Sequence, residues 1–291
     1  MLSPRSFKQQ QGVAIVVALF IMALVASMAY IMMARLSRDT QRTTLILRDT
    51  QAAFYAQGSV AWAIEQLRRD WENQKPDQLI DKLPMTSPTN TINDYHISST
   101  IEDMQARFNL NNLNDTEAQT SFKRLIQSVA PNLSEEKIQA IVNAVVHWIT
   151  LGSMVSVSEL RSVKGITPAI YHALQPYVTA LPEAAALVNV QSAPAPILAV
   201  LSPTMNLEAG NAIMALRSTS PFVSMQQFLN NDIVKNHPIS AQKVTVVSSY
   251  FLVVTNVTIE KQQLVLYTLL ERATKGDQLA INILWQSKGI G

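Results

Sequence analysis

Residues 8–67, KQQQGVAIVVALFIMALVASMAYIMMARLSRDTQRTTLILRDTQAAFYAQGSVAWAIEQL, decide the architecture. A polar, basic lead stops at Gly12, and the 22 residues from Val13 to Ala34 carry no charge. As a helix they extend about 33 Å, enough to cross a bilayer core of roughly 30 Å. A cleaved secretory signal has a shorter apolar core and a small-x-small site behind it. Here the run is longer, and no such site followed by a turn ends it. Arg5 and Lys8 lie before the run, and Arg35, Arg38 and Arg42 lie after it, so flanking charge does not set the orientation. Beyond the run the chain turns amphipathic. Between Leu36 and Leu67 there is no proline and one glycine, Gly58. Leu45, Ile46, Ala52, Ala53, Tyr55, Ala56, Val60, Trp62, Ala63, Ile64 and Leu67 leave an apolar stripe on one helical face. One helix from Val13 to about Trp71 is expected, on the order of 90 Å long, its first half in lipid and its second half packed on a soluble domain.

Composition narrows the classes. The 291 residues suffice for one large or two small domains beyond an anchor. A net charge of +2 with 15% charged residues implies no polyelectrolyte partner. The absence of cysteine excludes disulfides, thiol chemistry and thiolate metal sites.

Past Asn93 the periodicity changes. YHISSTIEDMQARFNLNNLND (95–115) alternates loosely and predicts one or two strands, then an Asn/Asp-rich turn and helix cap. SFKRLIQSVAPNLSEEKIQAIVNAVVHWI (121–149) is helical by spacing, with Ser134 as N-cap and Glu135 and Glu136 in the first turn. SVSELRSVKGITPAIYHALQPYV (156–178) predicts two short helices broken at Lys164–Gly165. Tyr250–Ile259 and Leu264–Leu270 flank a polar turn and predict a hairpin. The middle repeats itself: the text from Phe108 resembles that from Val188, and each leads to a similar phrase, MVSVSELRSV and FVSMQQFLNN. Two related helical units, about 112–181 and 188–240, therefore interrupt the sheet. The expected fold class is α+β, with a long N-terminal helix on a small antiparallel sheet (73–111 and 241–291) and an all-helical domain inserted at 112–240.

A lead ending in Gly12, then a long apolar helix with an amphipathic extension, resembles the type IV pilin and pseudopilin family. The resemblance implies a leader, 1–12, cut by a membrane peptidase between Gly12 and Val13, N-methylation of Val13, and a helix, 13–72, kept as anchor. It also supplies the orientation, with the leader in the cytoplasm and the C-terminal domain in the periplasm as a single-pass protein of the bacterial inner membrane. Most pilins carry a glutamate five residues into the mature chain, where this sequence has Val17. A carboxylate in lipid is costly unless paired. A subunit with Val17 does not make the pairing that glutamate serves, which suits the first subunit placed. The ordered set ARFNLNNL (106–113), SVSELRSVKGITPAIYHALQPYVTALP (156–182), VNVQSAPAPILAVL (188–201) and FVSMQQFL (222–229) is similar to the protein K family, the large minor pseudopilins of type II secretion. That resemblance implies a place at the pseudopilus tip with minor pseudopilins I and J, with the major pseudopilin G and minor pseudopilin H as further contacts, and a role in assembly or capping for protein export.

The family's calcium is not carried over. Between Trp148 and Glu159 there is no acid, whereas calcium takes six to eight oxygens. Asp103 and Asp115 sit in Asx-rich turns that read as caps, so no metal or other cofactor is expected. His96, His147, His172 and His237 are scattered without metal-ligand spacing, and no nucleophile elbow or phosphate loop is present. No enzyme is expected, and His147 beside Trp148 reads as packed or capping. The rival reading is a membrane-anchored helix-hairpin-helix DNA-binding protein of a competence or type IV pilus system, from Lys164–Gly165. Thr167–Pro168 removes an amide such a module needs, the second unit lacks the glycine hairpin, and neither unit is strongly basic. No nucleic acid is expected.

Overall fold

A computed structural model describes residues 10–73, 83–182, 187–260, 262–275 and 278–289. The first nine residues of the expected leader, 1–12, lie outside that range. Helix α1 runs Gln10–Asn73, followed by strands β1 (Met85–Thr86), β2 (Asn90–Ile92) and β3 (Tyr95–Asp103). A first helical stretch is bounded by short strands β4 (Phe108–Asn109) and β5 (Val178–Thr179) and contains α2 (Thr116–Val129), α3 (Glu135–Leu151) and α4 (Pro168–Leu174). A second is bounded by β6 (Val188–Asn189) and β7 (Val244–Thr245) and contains α5 (Ala195–Val200), α6 (Leu207–Thr219), α7 (Met225–Leu229) and α8 (Asp232–Asn236). Strands β8 (Tyr250–Ile259), β9 (Gln262–Lys275) and β10 (Gln278–Gly289) close the chain.

Packing divides the protein after Phe54. In the first unit the side chains from Val13 to Met33 are exposed, as an apolar helix made for lipid would leave them. Ser27 Oγ donates to Ala23 O at 2.7 Å, so its hydroxyl is satisfied within the helix. Among the described residues, this is the one helix long and apolar enough to cross a membrane.

In the second unit the end of α1 lies on an antiparallel sheet of order β1-β3-β8-β9-β10, with β2 also paired to β3. Ala56, Val60, Ala63 and Leu67 recur at steps of four, three and four, and all are buried. Ala63 and Leu67 pack on Ile101 of β3, Phe251 and Val253 of β8 and Leu270 of β9. Tyr55 stacks obliquely on Tyr95 with ring centroids 5.1 Å apart. The stripe expected from Leu45 onward is thus used for intramolecular packing only in its second half; Leu45 and Ile46 stay exposed.

Turn chemistry fixes the hairpins. β2 and β3 pair Ile92 with Tyr95, and the two residues between, Asn93 and Asp94, have φ of 47° and 67°. Both are residue types that tolerate the left-handed region a two-residue hairpin needs. β8 and β9 pair Ile259 with Gln262, and Glu260 has φ 50°. β8 spans the residues the sequence gives it, whereas β9 starts two residues earlier than Leu264, at Gln262, and continues to Lys275, and a further strand, β10, follows. Its alternation is broken by a register irregularity between Ile283 and Trp285, which hides a period of two.

The helical stretches repeat one plan. Each opens with a strand ending in Asn, Asn109 or Asn189, and closes by parallel pairing with Val-Thr: Asn109 opposite Thr179, and Asn189 opposite Thr245. A single core runs through both, from Phe108 to Val246. Phe108 stacks on Phe122 at 5.5 Å, and Phe222 meets Phe228 edge-on at 5.2 Å. Met154 and Phe222 are buried and Met225 packs at the margin, so these are core residues.

Candidate assembly site

The residues expected to carry assembly lie at the start of α1. Val13 and Val17 are one turn apart and expose 66% and 51% of their surface, on a helix face with no neighbour in its own unit. A Cβ built on Gly12 would meet nothing within 4 Å, so its glycine is not demanded by packing.

The helical repeat is tied to the sheet by buried polar groups. Asp103 ends β3; one of its carboxylate oxygens accepts from Gln105 N at 2.8 Å, the other from Asn189 Nδ2 at 2.9 Å and from Ser192 Oγ. Asn189 Nδ2 also reaches Ser248 Oγ at 2.8 Å. Arg272 of β9 donates through Nε to Ser248 O at 3.1 Å and lies 4.8 Å above the Phe251 ring. The first helical stretch has its own counterpart. Asn111 Nδ2 donates to Met154 O at 2.9 Å and Leu181 O at 2.8 Å, while its Oδ1 accepts from Met154 N at 2.9 Å. Asn109 Oδ1 accepts from Leu181 N at 3.0 Å.

Arg124, on α2, joins the two helical stretches. Its guanidinium donates to Ala199 O at 2.9 Å, Ser202 O at 2.7 Å and Met205 O at 2.6 Å, carbonyls in the last turn of α5 and in the loop that follows it. Burial lowers its pKa from the usual arginine value, yet arginine remains cationic at any working pH. Arg217 on α6 donates to Val190 O at 2.7 Å, with the same direction of shift from the same cause. Neither arginine is marked by the sequence, because its partners are main-chain carbonyls.

The acids are taken up as caps. Glu159 completes a capping box with Ser156, accepting from Ser156 N at 3.0 Å and Val155 N at 2.7 Å, and it receives Trp148 Nε1 at 3.2 Å. Asp115 caps α2 through Ala118 N at 2.9 Å. Among the described residues no three His, Asp or Glu side chains converge. With Asp103, Asp115 and Glu159 committed to main-chain and amide donors, the donor set does not fit calcium. His147 is exposed rather than packed, and its carbonyl accepts from Thr150 Oγ1 at 2.7 Å.

The Lys164–Gly165 corner is a tight turn in which Gly165 has φ 91° and its Cα faces Ile141. Thr167 and Pro168 start α4, with Thr167 Oγ1 accepting from Ile170 N at 3.3 Å. The equivalent corner of the second unit, between α7 and α8, is built on Asn230 and Asn231 without glycine.

An apolar anchor continuous with a helix laid on an antiparallel sheet is the build of a pseudopilin. Family models described as "Type II secretion system (T2SS), protein K" match residues 150–183 and 188–248. Type II secretion system protein K of Klebsiella pneumoniae is 28% identical over 81% of this chain and 83% of its own length. The Pseudomonas aeruginosa protein K is 27% identical over 92% and 90%. A chain of the crystal structure of the GspK-GspI-GspJ complex from enterotoxigenic Escherichia coli superposes with a TM-score of 0.69 at 20% identity, covering 86% of this chain and 100% of that one. At that identity the likeness bears on the fold, and it is the same fold. The chain is thus similar, over most of its length, to protein K of the type II secretion system, and the resemblance favours a minor pseudopilin over a DNA receptor.

Proposed function

We propose that this subunit sits at the tip of a pseudopilus, starts or caps its assembly together with minor pseudopilins I and J, and so supports export of proteins from the periplasm. The observation that carries the reading is the pair of helical units between β3 and β8. Such a bulk clashes with neighbours inside a packed filament and is accommodated on its end. The complex of the Escherichia coli relative with GspI and GspJ supports the choice of partners. Contacts with the major pseudopilin G and minor pseudopilin H belong to the same proposal. Val17 fits a first subunit, since no earlier one presents an amino terminus to pair with. The role is non-covalent: the anchor holds the subunit in the inner membrane, the domain from Tyr55 onward lies in the periplasm, and neither catalysis nor a metal or other cofactor is invoked.

The test is to express the full chain with a prepilin peptidase and read the mature amino terminus by mass spectrometry. A chain beginning at Val13 and N-methylated is expected. An intact leader, or a cut beyond Ala34, would overturn the pseudopilin route. Secretion of exoproteins should then fall when the subunit is deleted, while transformation by external DNA is unchanged.

A further inference from the structure

The two edges of the sheet are unlike. On one side β1 and β2 have two and three residues and lie beside Pro84 and Pro88, which are ordinary guards against pairing with another chain. On the other side β10 has 12 residues, and from Gln278 to Ser287 it has neither proline nor charge. Among the described residues no strand pairs with its outer side. Ile283 and Leu284 expose 47% and 38% of their surface there, and the irregularity between Ile283 and Trp285 leaves Leu284 unpaired instead of adding a charge. A long, uncharged edge without proline is open to strand addition.

Area decides the kind of occupant. Twelve residues extend about 41 Å and offer on the order of ten main-chain hydrogen bonds, the number of a typical specific interface. A ribbon of that length and about 10 Å depth covers only ~400 Å², half of what a standard interface hides on each partner. The remainder must come from adjoining surface, and that surface is α1. Gln57 Nε2 donates to Gln286 Oε1 of β10 at 3.1 Å, which sets the helix beside the edge. Next to Gln57, Gly58 and Ala61 are exposed, and a Cβ on Gly58 would meet nothing within 4 Å. A partner matching both surfaces needs an extended strand together with a helix running alongside α1.

We infer that the outer edge of β10 receives a strand of another pseudopilin, minor pseudopilin I or J, whose own anchor helix lies along α1. The inference rests on the tip reading above. A free peptide satisfies half the surface, and a second copy of this chain would place two bulky helical repeats at one site.

Hydrogen exchange of the full chain in membrane vesicles, alone and co-expressed with pseudopilins I and J, tests it. Amides of 278–287 should exchange roughly tenfold or more slowly in the complex than in the chain alone. Ile283→Lys should reduce co-purification of I and J at least tenfold while leaving the melting temperature unchanged, because the side chain is exposed. A complex that forms with unchanged exchange along β10 overturns this inference and leaves the tip reading standing. Protection that appears in the chain alone and rises with its concentration assigns the edge to a second copy and also overturns it. If I and J form no complex with the chain at all, the tip reading fails and the inference falls with it.

Discussion

At Asn111 one buried carboxamide faces two carbonyls and one N–H, so it must present its NH2 to Met154 O and Leu181 O and its oxygen to Met154 N. Asn111→Ala leaves those groups buried without partners and should cost about 2–4 kcal/mol. Asn111→Asp should cost more at neutral pH, since a carboxylate then points at two carbonyl oxygens; urea unfolding at pH 7 gives the order. At Gly210 the constraint is steric: a Cβ there would stand 2.6 Å from Ala195 O, a main-chain atom that cannot swing aside. Gly210→Ala should therefore destabilise by roughly 1–3 kcal/mol in the same assay, although alanine is the better helix former. Part of this was legible. The phrases FNLN and VNVQ mark the two asparagines that open the repeats, and Ser156-x-x-Glu159 spells a capping box. Gly210 was not legible, because nothing in a sequence says which carbonyl will lie against it.

Elements follow the same division. The β8–β9 hairpin and α3 announce themselves by period and by Ser134 with its two acids, whereas β10 is obscured by its irregular register and α1 gives no sign of where packing begins. Where α2 meets α3, Lys123 pairs with Glu135, and Gln127 Nε2 donates to it at 2.8 Å. Lys123 foremost, then Gln127, holds the Glu135 carboxyl below its usual value. A depressed carboxylate stabilises the fold above its unfolded pKa, and the contribution fades as pH falls through the folded one. Glu135→Gln should thus lower the melting temperature slightly at pH 7, and the two proteins should converge in acid, below the ordinary carboxylate range of about 4. Arg124 works between elements and should show a different signature. Arg124→Met strips donors from three carbonyls, costs about 1–3 kcal/mol, and should speed amide exchange in α5 and α6 more than in α2 and α3. Equal acceleration everywhere would mean that it does not couple the two helical stretches.

For the whole molecule, the order of parts was readable because each part carries its own period: apolar run, amphipathic stripe, repeated helical phrase, alternating strands. What joins them was not, since Asp103, Asn189, Ser248 and Arg272 are scattered polar residues until the chain brings them together. Their meeting point has a consequence for how such a molecule can change. β3 and β8 are antiparallel neighbours with Asp103 opposite Phe251, so residues 104–249 take the place of a hairpin turn. Within them each unit returns to its own starting point through a two-residue parallel pairing. The sheet therefore experiences a detour of any length as a short link, and loop-closure entropy is met inside the detour rather than by the strands. A lineage could lengthen, shorten or replace either lobe without retuning the ladder beneath it, as a stem carries grafts of different size through one joint.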